Sequence, residues 1–575
     1  MRVTKFIIKN VKSFGEETPI SLSPGLNILI GPNAGGKSNL FDIINFSLNY
    51  FFIHTWRITE QRSGEGFLLR RNLQNLQRAG MFGDPGAYLD KHDRRKSEPQ
   101  EIKVRFLIQE GDVRNIQAIL DSKNELCSVE KETFESSVLQ NEFINSVQDY
   151  NIGDIENKEV EFTVKDNSVS RSQSLDTSED KSYDIVLRYL NSFELFSLLV
   201  QEHNATHPDK RIPRLYPPLI YFSPYRMPQS QHLVTRLAGS DHFNLMQTYK
   251  QNTSKNVSST FELANHYFAR KLRLLNNNLE LFRKDEEVTF VNNYIQKLGY
   301  KEFTLREIDP LNNVYQVCIE KINGELFEVS KASSGEKEVL NMLLGIFAFN
   351  VKNGVVIIDE PDLHLHPLWQ NMLLDLFFEL SDQRGVQFML ATHSPTFITR
   401  RSIRNTLRVY ALNGESKVVV PPTLDESEKD LFQIINVFNN AKIFFADKVV
   451  LVEGDVDNLI YHSILRKLQP QSNKMEVIEI LDVKGKSNLE KFKKFLDKWQ
   501  ITSYRIADKD YTSADGKNLF ILTLGGIEAY FSYMNKSHFD IADAIRIAED
   551  IESGRIQIHE DLEEIFRKII SETAT

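Results

Sequence analysis

Apolar positions along the chain follow two periods, and the changes between them divide it into elements. "VTKFIIKNV" (3–11) and "EIKVRFLI" (101–108) alternate apolar and polar residues, as strands with one buried face do. "GLNILIGPN" (25–33) is an apolar run that ends in a glycine turn, and "KSNLFDIINFSLNYFF" (37–52) continues from it as a helix. "GVVIIDEPDLHLHP" (354–367) and "GVQFMLATHSP" (385–395) are short apolar strands with polar loops at their C-terminal ends. That pattern suits a buried parallel sheet. "PPLIYFSPYR" (217–226) adds another apolar strand, and "STFELANHYFARKLRLLNNNLELF" (259–282) has heptad-like helical spacing. Such a helix packs inside a domain or forms a dimer contact.

These elements predict an α/β chain of several parts. Residues 1–226 form a first part, interrupted by a polar insertion over about 121–185 whose "KDNSVSRSQSLDTSEDKSYD" reads as a mobile surface segment. A helical arm follows over 227–300, then a second strand-and-helix part over 301–420. Pro421 and Pro422 mark a linker over 421–445, and a further α/β unit runs over 446–575. No internal repeat is visible.

Composition changes this picture little. At 575 residues the chain is too long for one core. The absence of an 18-residue apolar run or a leader pattern predicts a cytoplasmic protein with no membrane partner. Cys127 and Cys318 are too few for a disulfide framework and have no metal-ligand spacing. The net charge of −10 argues against a protein that coats nucleic acid, yet permits a local basic groove.

Candidate chemistry lies in two places. "GPNAGGKS", Gly31 to Ser38, fits G-x-x-x-x-G-K-[S/T] between a strand and a helix. Glycines there let successive backbone N–H groups point into a phosphate-sized nest, Lys37 reaches the β and γ phosphates of ATP, and Ser38 holds Mg²⁺. "VVIIDE" (355–360) ends in Asp359, placed to orient the Mg²⁺ shell, and Glu360, placed to polarise water. "SSGEKE" (333–338) opens a helix and "LATHSP" (390–395) presents His393 at a strand end.

With these motifs the chain resembles ATPases of the ABC type, of the SMC, Rad50 and RecF kind. It is most similar to the overcoming-lysogenization-defect (OLD) family and its AAA15-type relatives. "NVKSFGEETPISLSPGLNILIGPNAGGKSNL" and "DEPDLHLHP" carry the likeness. The resemblance implies nucleotide contacts at Lys12, Gly31, Asn33, Gly35, Gly36, Lys37, Ser38 and Asn39. It also implies that Ser334, Gly335 and Glu336 are a signature contacting nucleotide across a dimer, and that His393 senses the γ-phosphate. The signature lacks the second glycine of transporters, and no glutamine can be assigned as the Q-loop.

The second place is "VVLVEGDVDNLIYHSILRKL" (449–468), an apolar strand that stops at Glu453, Asp455 and Asp457. Downstream, "SYRIADKDY" (503–511) ends in Asp508 and Asp510, two apart and so expected on one side of an extended strand end. If these strands are parallel neighbours, Glu453, Asp457, Asp508 and Asp510 meet at one C-terminal sheet edge, where α/β sheets place sites. Carboxylates crowded there repel unless a divalent cation neutralises them. Capping explains one strand-end acid but not such clusters at successive strand ends.

This arrangement resembles the Toprim fold of topoisomerases, primases and OLD-family nucleases. "KGKSNL" (484–489) and, in "GGIEAYF", Glu528 as a later acid fit it. Lys484, Lys486 and Arg567 are candidates for its basic residue. The whole resembles Gabija-type and retron-associated OLD effectors. It implies an ATP-gated endonuclease for DNA in defence against bacteriophage, using Mg²⁺ or Mn²⁺, with Glu360, Glu453, Asp508 and Asp510 catalytic. At least a homodimer is expected, with a partner protein or noncoding RNA as a further possibility. The alternatives are an ATP-driven repair clamp with a non-catalytic Toprim domain and a toxin that cleaves RNA.

Overall fold

The structure is a computed structural model that describes residues 1–53, 89–134, 137, 139–148, 150–166, 168–171, 181–207, 209–222, 260–311, 314–420, 440–471, 476–513, 516–572 and three short strands. The linker expected at Pro421 and Pro422 and most of 227–259 lie outside the described residues. The chain forms two compact units. One holds residues 1–27 and 38–392, the other 28–37 and 393–575.

In the first unit an antiparallel sheet runs Thr18–Ser21, Arg2–Lys9, Glu101–Leu107, Glu159–Lys165 and Ser168–Arg171 in spatial order. Val3, Phe6 and Ile8 are all fully buried although an odd step separates Val3 from Phe6. A register shift between Val3 and Lys5 absorbs that extra residue. The last two strands belong to 121–185, read from composition as a mobile polar insertion, so that reading needs correction. Val160, Phe162 and Val164 alternate inward there and are buried. Three apolar residues among charged neighbours disappear in an average but suffice for a strand. Lys123–Phe134 is a helix in the same stretch.

Val355–Asp359 and Gln387–Ala391 are parallel as expected, with Asp359 opposite Ala391 at the C-terminal end, and Leu219–Phe222 joins them in parallel on the other side of Val355–Asp359. The expected helical region is present as Thr260–Leu274, Leu279–Lys284 and Glu286–Lys297. Ala264, Phe268, Ala269 and Leu272 make the first of these a buried face against the helix Ser334–Ala348. Its apolar spacing is thus used for packing within the unit.

In the second unit the end of Leu26–Ile30 pairs in parallel with Thr406–Leu412, which turns back antiparallel into Glu415–Val419. The rest is a parallel sheet in the order Ile478–Asp482, Lys448–Val452, Thr502–Ala507, Leu519–Ile521. Central strands buried on both faces read as the unbroken apolar runs seen in the sequence. Helices Asp455–Leu468, Ile541–Glu552 and Glu560–Ser571 share a core on one face, through Tyr461, Ile464, Ile547 and Phe566. Phe492, Phe495 and Trp499, fully buried, come from the Leu489–Lys498 helix and the residue that caps it.

Arg408, 2% exposed, ties the Thr406–Leu412 strand to this sheet. Its guanidinium donates to the carbonyls of Phe444, Ala446, Trp499 and Gln500 at 2.8–3.3 Å. One planar fork thus bonds four backbone carbonyls from two separate stretches of chain.

Candidate functional site

Parallel pairing brings the ends of three strands to one edge. Glu453 follows Lys448–Val452, Asp482 closes Ile478–Asp482, and Asp508 follows Thr502–Ala507. The backbone N–H of Asp508 donates to Glu453 Oε1 at 3.4 Å. Gly485 N–H donates to the Glu453 carbonyl at 2.8 Å and fixes the intervening loop. Gly526 leaves room for two carboxylates, since a Cβ there would lie 2.9 Å from Glu528 Oε2 and 3.3 Å from Asp508 Oδ2. Asp457 sits one helical turn beyond Gly454 and accepts that residue's N–H at 3.2 Å.

The electrostatics follow from this crowding. Burial pushes the Asp457 carboxyl up to about 7, and repulsion from Asp508 and Glu453 adds to it. Glu453 is raised by burial and then by Asp508, and Asp508 by burial and then by Glu528 and Asp510. Five acids therefore feel one another. Asp510 goes the other way, held low by Lys486 at 2.5 Å.

Two expectations about geometry need correction. Asp508 and Asp510 do not project together from an extended strand, because the strand ends at Ala507 and Tyr511 N–H closes a turn onto the Asp508 carbonyl at 3.0 Å. Asp510 therefore faces Lys486. Nor do the acids converge on a single point: among the described residues no three His, Cys, Asp or Glu side chains are gathered closely enough to hold a metal ion. The donor set is nonetheless all carboxylate oxygen, the chemistry a hard divalent cation takes.

Asp482 is a residue the sequence reading missed. It is 5% exposed and ion-paired to Lys484 at 2.5 Å, and its carboxyl is raised by burial and by its hydrogen bond with Asp455. The signal was available in "IEILD", another apolar strand ending in an acid. Asp455 pairs with Lys484 on the exposed side. Of the three basic candidates, Lys486 touches the acids at Asp510, Lys484 touches Asp455 and Asp482, and Arg567 pairs with Glu563 on the last helix.

The residues of nucleotide type divide between the units. In the second, Gly31, Ala34 and Gly36 have φ of +140°, +60° and +104°. A Cβ on Gly31 would lie 1.9 Å from the Val409 carbonyl oxygen, and on Gly35 2.7 Å from it, so the loop lies directly on the neighbouring strand. Ser416 Oγ donates to the Gly35 carbonyl at 2.9 Å. Lys37, 5% exposed, donates to the carbonyls of Gly31 and Pro32 at 2.8 and 2.9 Å. Burial and then Arg408 lower its ammonium to about 8. Asn33 is exposed, and His393, also exposed, opens the later stretch of this unit.

In the first unit Ser38 is exposed at the start of the helix Lys37–Ser47, and Asn39 donates to Ser13 Oγ at 2.8 Å. Lys12 pairs with Asp42 at 2.7 Å. Asp359 ends its strand half-buried. Glu360 has φ +47° and donates its N–H to Ala391 at 2.9 Å. A left-handed glutamate is strained and is held only because its neighbours determine it. Ser333 caps the helix Ser334–Ala348 in a reciprocal box with Glu336. Gly335 admits no side chain, since a Cβ would lie 2.8 Å from the Trp369 ring.

Comparison with known proteins agrees with both halves. A family model described as AAA ATPase domain matches residues 1–398. A second, described as the overcoming lysogenization defect protein-like TOPRIM domain, matches residues 444–510. The chain is 23% identical over 286 residues to the Old nuclease of Escherichia phage P2, covering 47% of this chain and 48% of that one. It is 30% identical over 161 residues to the OLD nuclease of Thermus scotoductus, 26% of this chain and 30% of that one. It is 25% identical over 222 residues to the endonuclease GajA of Bacillus cereus, 38% and 37% respectively. The chain thus spans about half or less of the length of these relatives.

Proposed function

We propose, from the premise that this chain belongs to the AAA ATPase domain family and carries an OLD-like Toprim domain, that it is an ATP-gated, divalent-metal-dependent DNA endonuclease. The observation that carries this reading is the row of mutually repelling acids at the C-terminal edge of the Toprim sheet, with Asp457 pushed up to about 7. Structural capping gains nothing from such crowding. A cation site does, because its charge removes the repulsion.

In this reading Glu453, Asp457, Asp508, Asp510 and Glu528 hold Mg²⁺ or Mn²⁺, which when bound supplies Lewis acidity toward water and the scissile phosphate. Glu453 and Asp508 would orient the site through the Asp508 N–H bond to Glu453, and Lys486 pairs with Asp510 beside them. Lys37 clamps ATP phosphates with Gly31, Asn33, Gly35, Gly36 and Asn39, while Ser38 and Asp359 serve its Mg²⁺ and Glu360 polarises water. Ser334, Gly335 and Glu336 act across a homodimer, and His393 reads the γ-phosphate. The names of the relatives support a nuclease, and defence against phage is the setting we infer.

The test is cleavage of supercoiled plasmid by purified protein, with tRNA in parallel, with and without Mg²⁺ and ATP. We expect metal-dependent cleavage of DNA that nucleotide modulates, lost in Asp508→Ala while ATP turnover persists. Intact plasmid under all conditions would favour the non-catalytic clamp, and cleavage confined to tRNA the toxin.

A further inference from the structure

One charged face of the second unit is used by neither site. The chain carries 79 acidic residues against 69 basic ones, so any attraction for a polyanion has to be local. The helix Leu489–Lys498 offers such a place, since four of its ten residues are lysine and two are acidic. Both acids are already occupied. Glu490 pairs with the fully buried Arg505 and accepts from Ser513 Oγ at 3.3 Å, and Asp497 pairs with Lys493 at 2.6 Å. Lys494 has these two acids at helical spacing, yet both turn to other cations. Lys491 and Lys494 are exposed, one turn apart, and have no ion pair among the described residues.

The helix is held rigidly and in a definite place. Leu489, Phe492, Phe495 and Leu496 are fully buried on its other side. Arg505, besides gripping Glu490, donates to the Lys517 carbonyl at 2.7 Å, which ties the first turn to the loop after the strand Thr502–Ala507. The helix follows the loop that leaves Ile478–Asp482, and Lys486 of that loop pairs with Asp510 at 2.5 Å. The lysine face therefore starts at the edge where the acids stand and leads away from it. Lys509 lies on that edge between Asp508 and Asp510, exposed and likewise without an ion pair among the described residues. Its backbone N–H donates to the Gly525 carbonyl at 3.1 Å, which fixes the turn that carries it.

Cations spared by their own helix, on a rigid face beside a row of acids, complement a phosphodiester backbone. Each lysine that neutralises a phosphate releases a condensed counterion, so binding strengthens with every such contact. A strand whose scissile phosphate lies at the acids has flanking phosphates that need a positive surface. Among the elements of the Toprim sheet, this helix face supplies it.

We propose that this face is the track for the DNA backbone beside the scissile phosphate. Lys509 takes the phosphate nearest the acids, and Lys491 and Lys494 take phosphates farther along. The proposal rests on the nuclease reading and adds where the substrate lies and which side chains carry it.

The test is the salt dependence of DNA binding by the full-length protein, read as fluorescence anisotropy of a labelled thirty-base-pair duplex. EDTA keeps the strand uncut, and salt is varied between about 50 and 200 mM. The slope of log affinity against log salt should become shallower by about 1.8 in Lys491→Gln/Lys494→Gln and by about 0.9 in Lys509→Gln. All three positions are exposed, so the variants leave the core untouched. Lys123→Gln/Lys284→Gln removes the same charge from exposed positions of the first unit and should leave the slope unchanged. Wild-type protein that cuts plasmid, with the same slope in all the variants, overturns the proposal and leaves the nuclease reading standing. A slope lowered equally by the first-unit pair also overturns it, as does tighter binding of tRNA than of the duplex. Wild-type protein that neither binds nor cuts DNA removes the nuclease reading and this proposal together.

Discussion

Lys37 is buried in a loop whose own carbonyls accept its protons, and its ammonium titrates near 8 rather than in the usual lysine range. Phosphate binding needs the charged form. Between about pH 8 and the ordinary lysine value the folded chain holds fewer protons here than the unfolded chain, so this lysine's unfavourable contribution to stability fades as pH rises through that window. Nucleotide affinity should move oppositely, falling up to about tenfold per pH unit above 8 as binding has to take up a proton. Titrating a fluorescent ATP analogue across this range measures it, and Lys37→Arg should flatten the profile. Among the acids, Asp455→Ala should leave cleavage nearly intact, because Asp455 pairs with Lys484 toward solvent. Asp457→Asn should raise the melting temperature of metal-free protein at pH 8, since it removes a carboxylate that its neighbours oppose. An unchanged melting temperature would mean that the acids do not strain one another. Glu453 and Asp508 were legible because each ends an apolar run. The turn at Asp510 was not, since only the neighbouring Lys486 and the closing Tyr511 bond decide its direction.

At the scale of elements, the buried strands and the start of the helix at "SSGEKE" were legible in the sequence. Ser333, three residues before Glu336, spells a capping box, and the structure forms it with Ser333 N–H donating to Glu336 at 2.6 Å. Ser333→Ala should cost roughly 1 kcal/mol, read from urea unfolding, with helix content otherwise preserved. Less legible was the strand Glu159–Lys165, hidden in a polar stretch because alternation of three apolar residues is a local signal that composition averages away. Lys448 shows a third case. A lysine opening a central strand reads as a surface charge, yet it is fully buried, paired with Glu476 at 2.5 Å and bonded to the carbonyls of Ile569 and Ile570 at 2.8 and 3.3 Å. It thereby fastens the last helix to the sheet, a contact about 120 residues away in sequence that no local pattern announces. Lys448→Ala should strand Glu476 and destabilise by about 3–5 kcal/mol. Limited proteolysis should then cut first between the helices Ile541–Glu552 and Glu560–Ser571.

For the whole molecule, the unexpected feature is how the chain partitions. The phosphate loop, residues 28–37, belongs to the same compact unit as the Toprim sheet. Sequence order gave no sign of this, because more than 400 residues separate Gly31 from Glu453. The strand Thr406–Leu412 makes the connection. Val409 presents its carbonyl to Gly31, and Arg408 beside it grips four carbonyls around the Toprim sheet. Two neighbouring residues therefore report to two different chemistries. Any free energy they pass between those sites must be shared equally in both directions. If ATP makes the acids bind a cation more tightly by some factor, the cation must tighten ATP by that same factor. Arg408→Met, with Lys37 and every Toprim acid intact, should reduce both factors together.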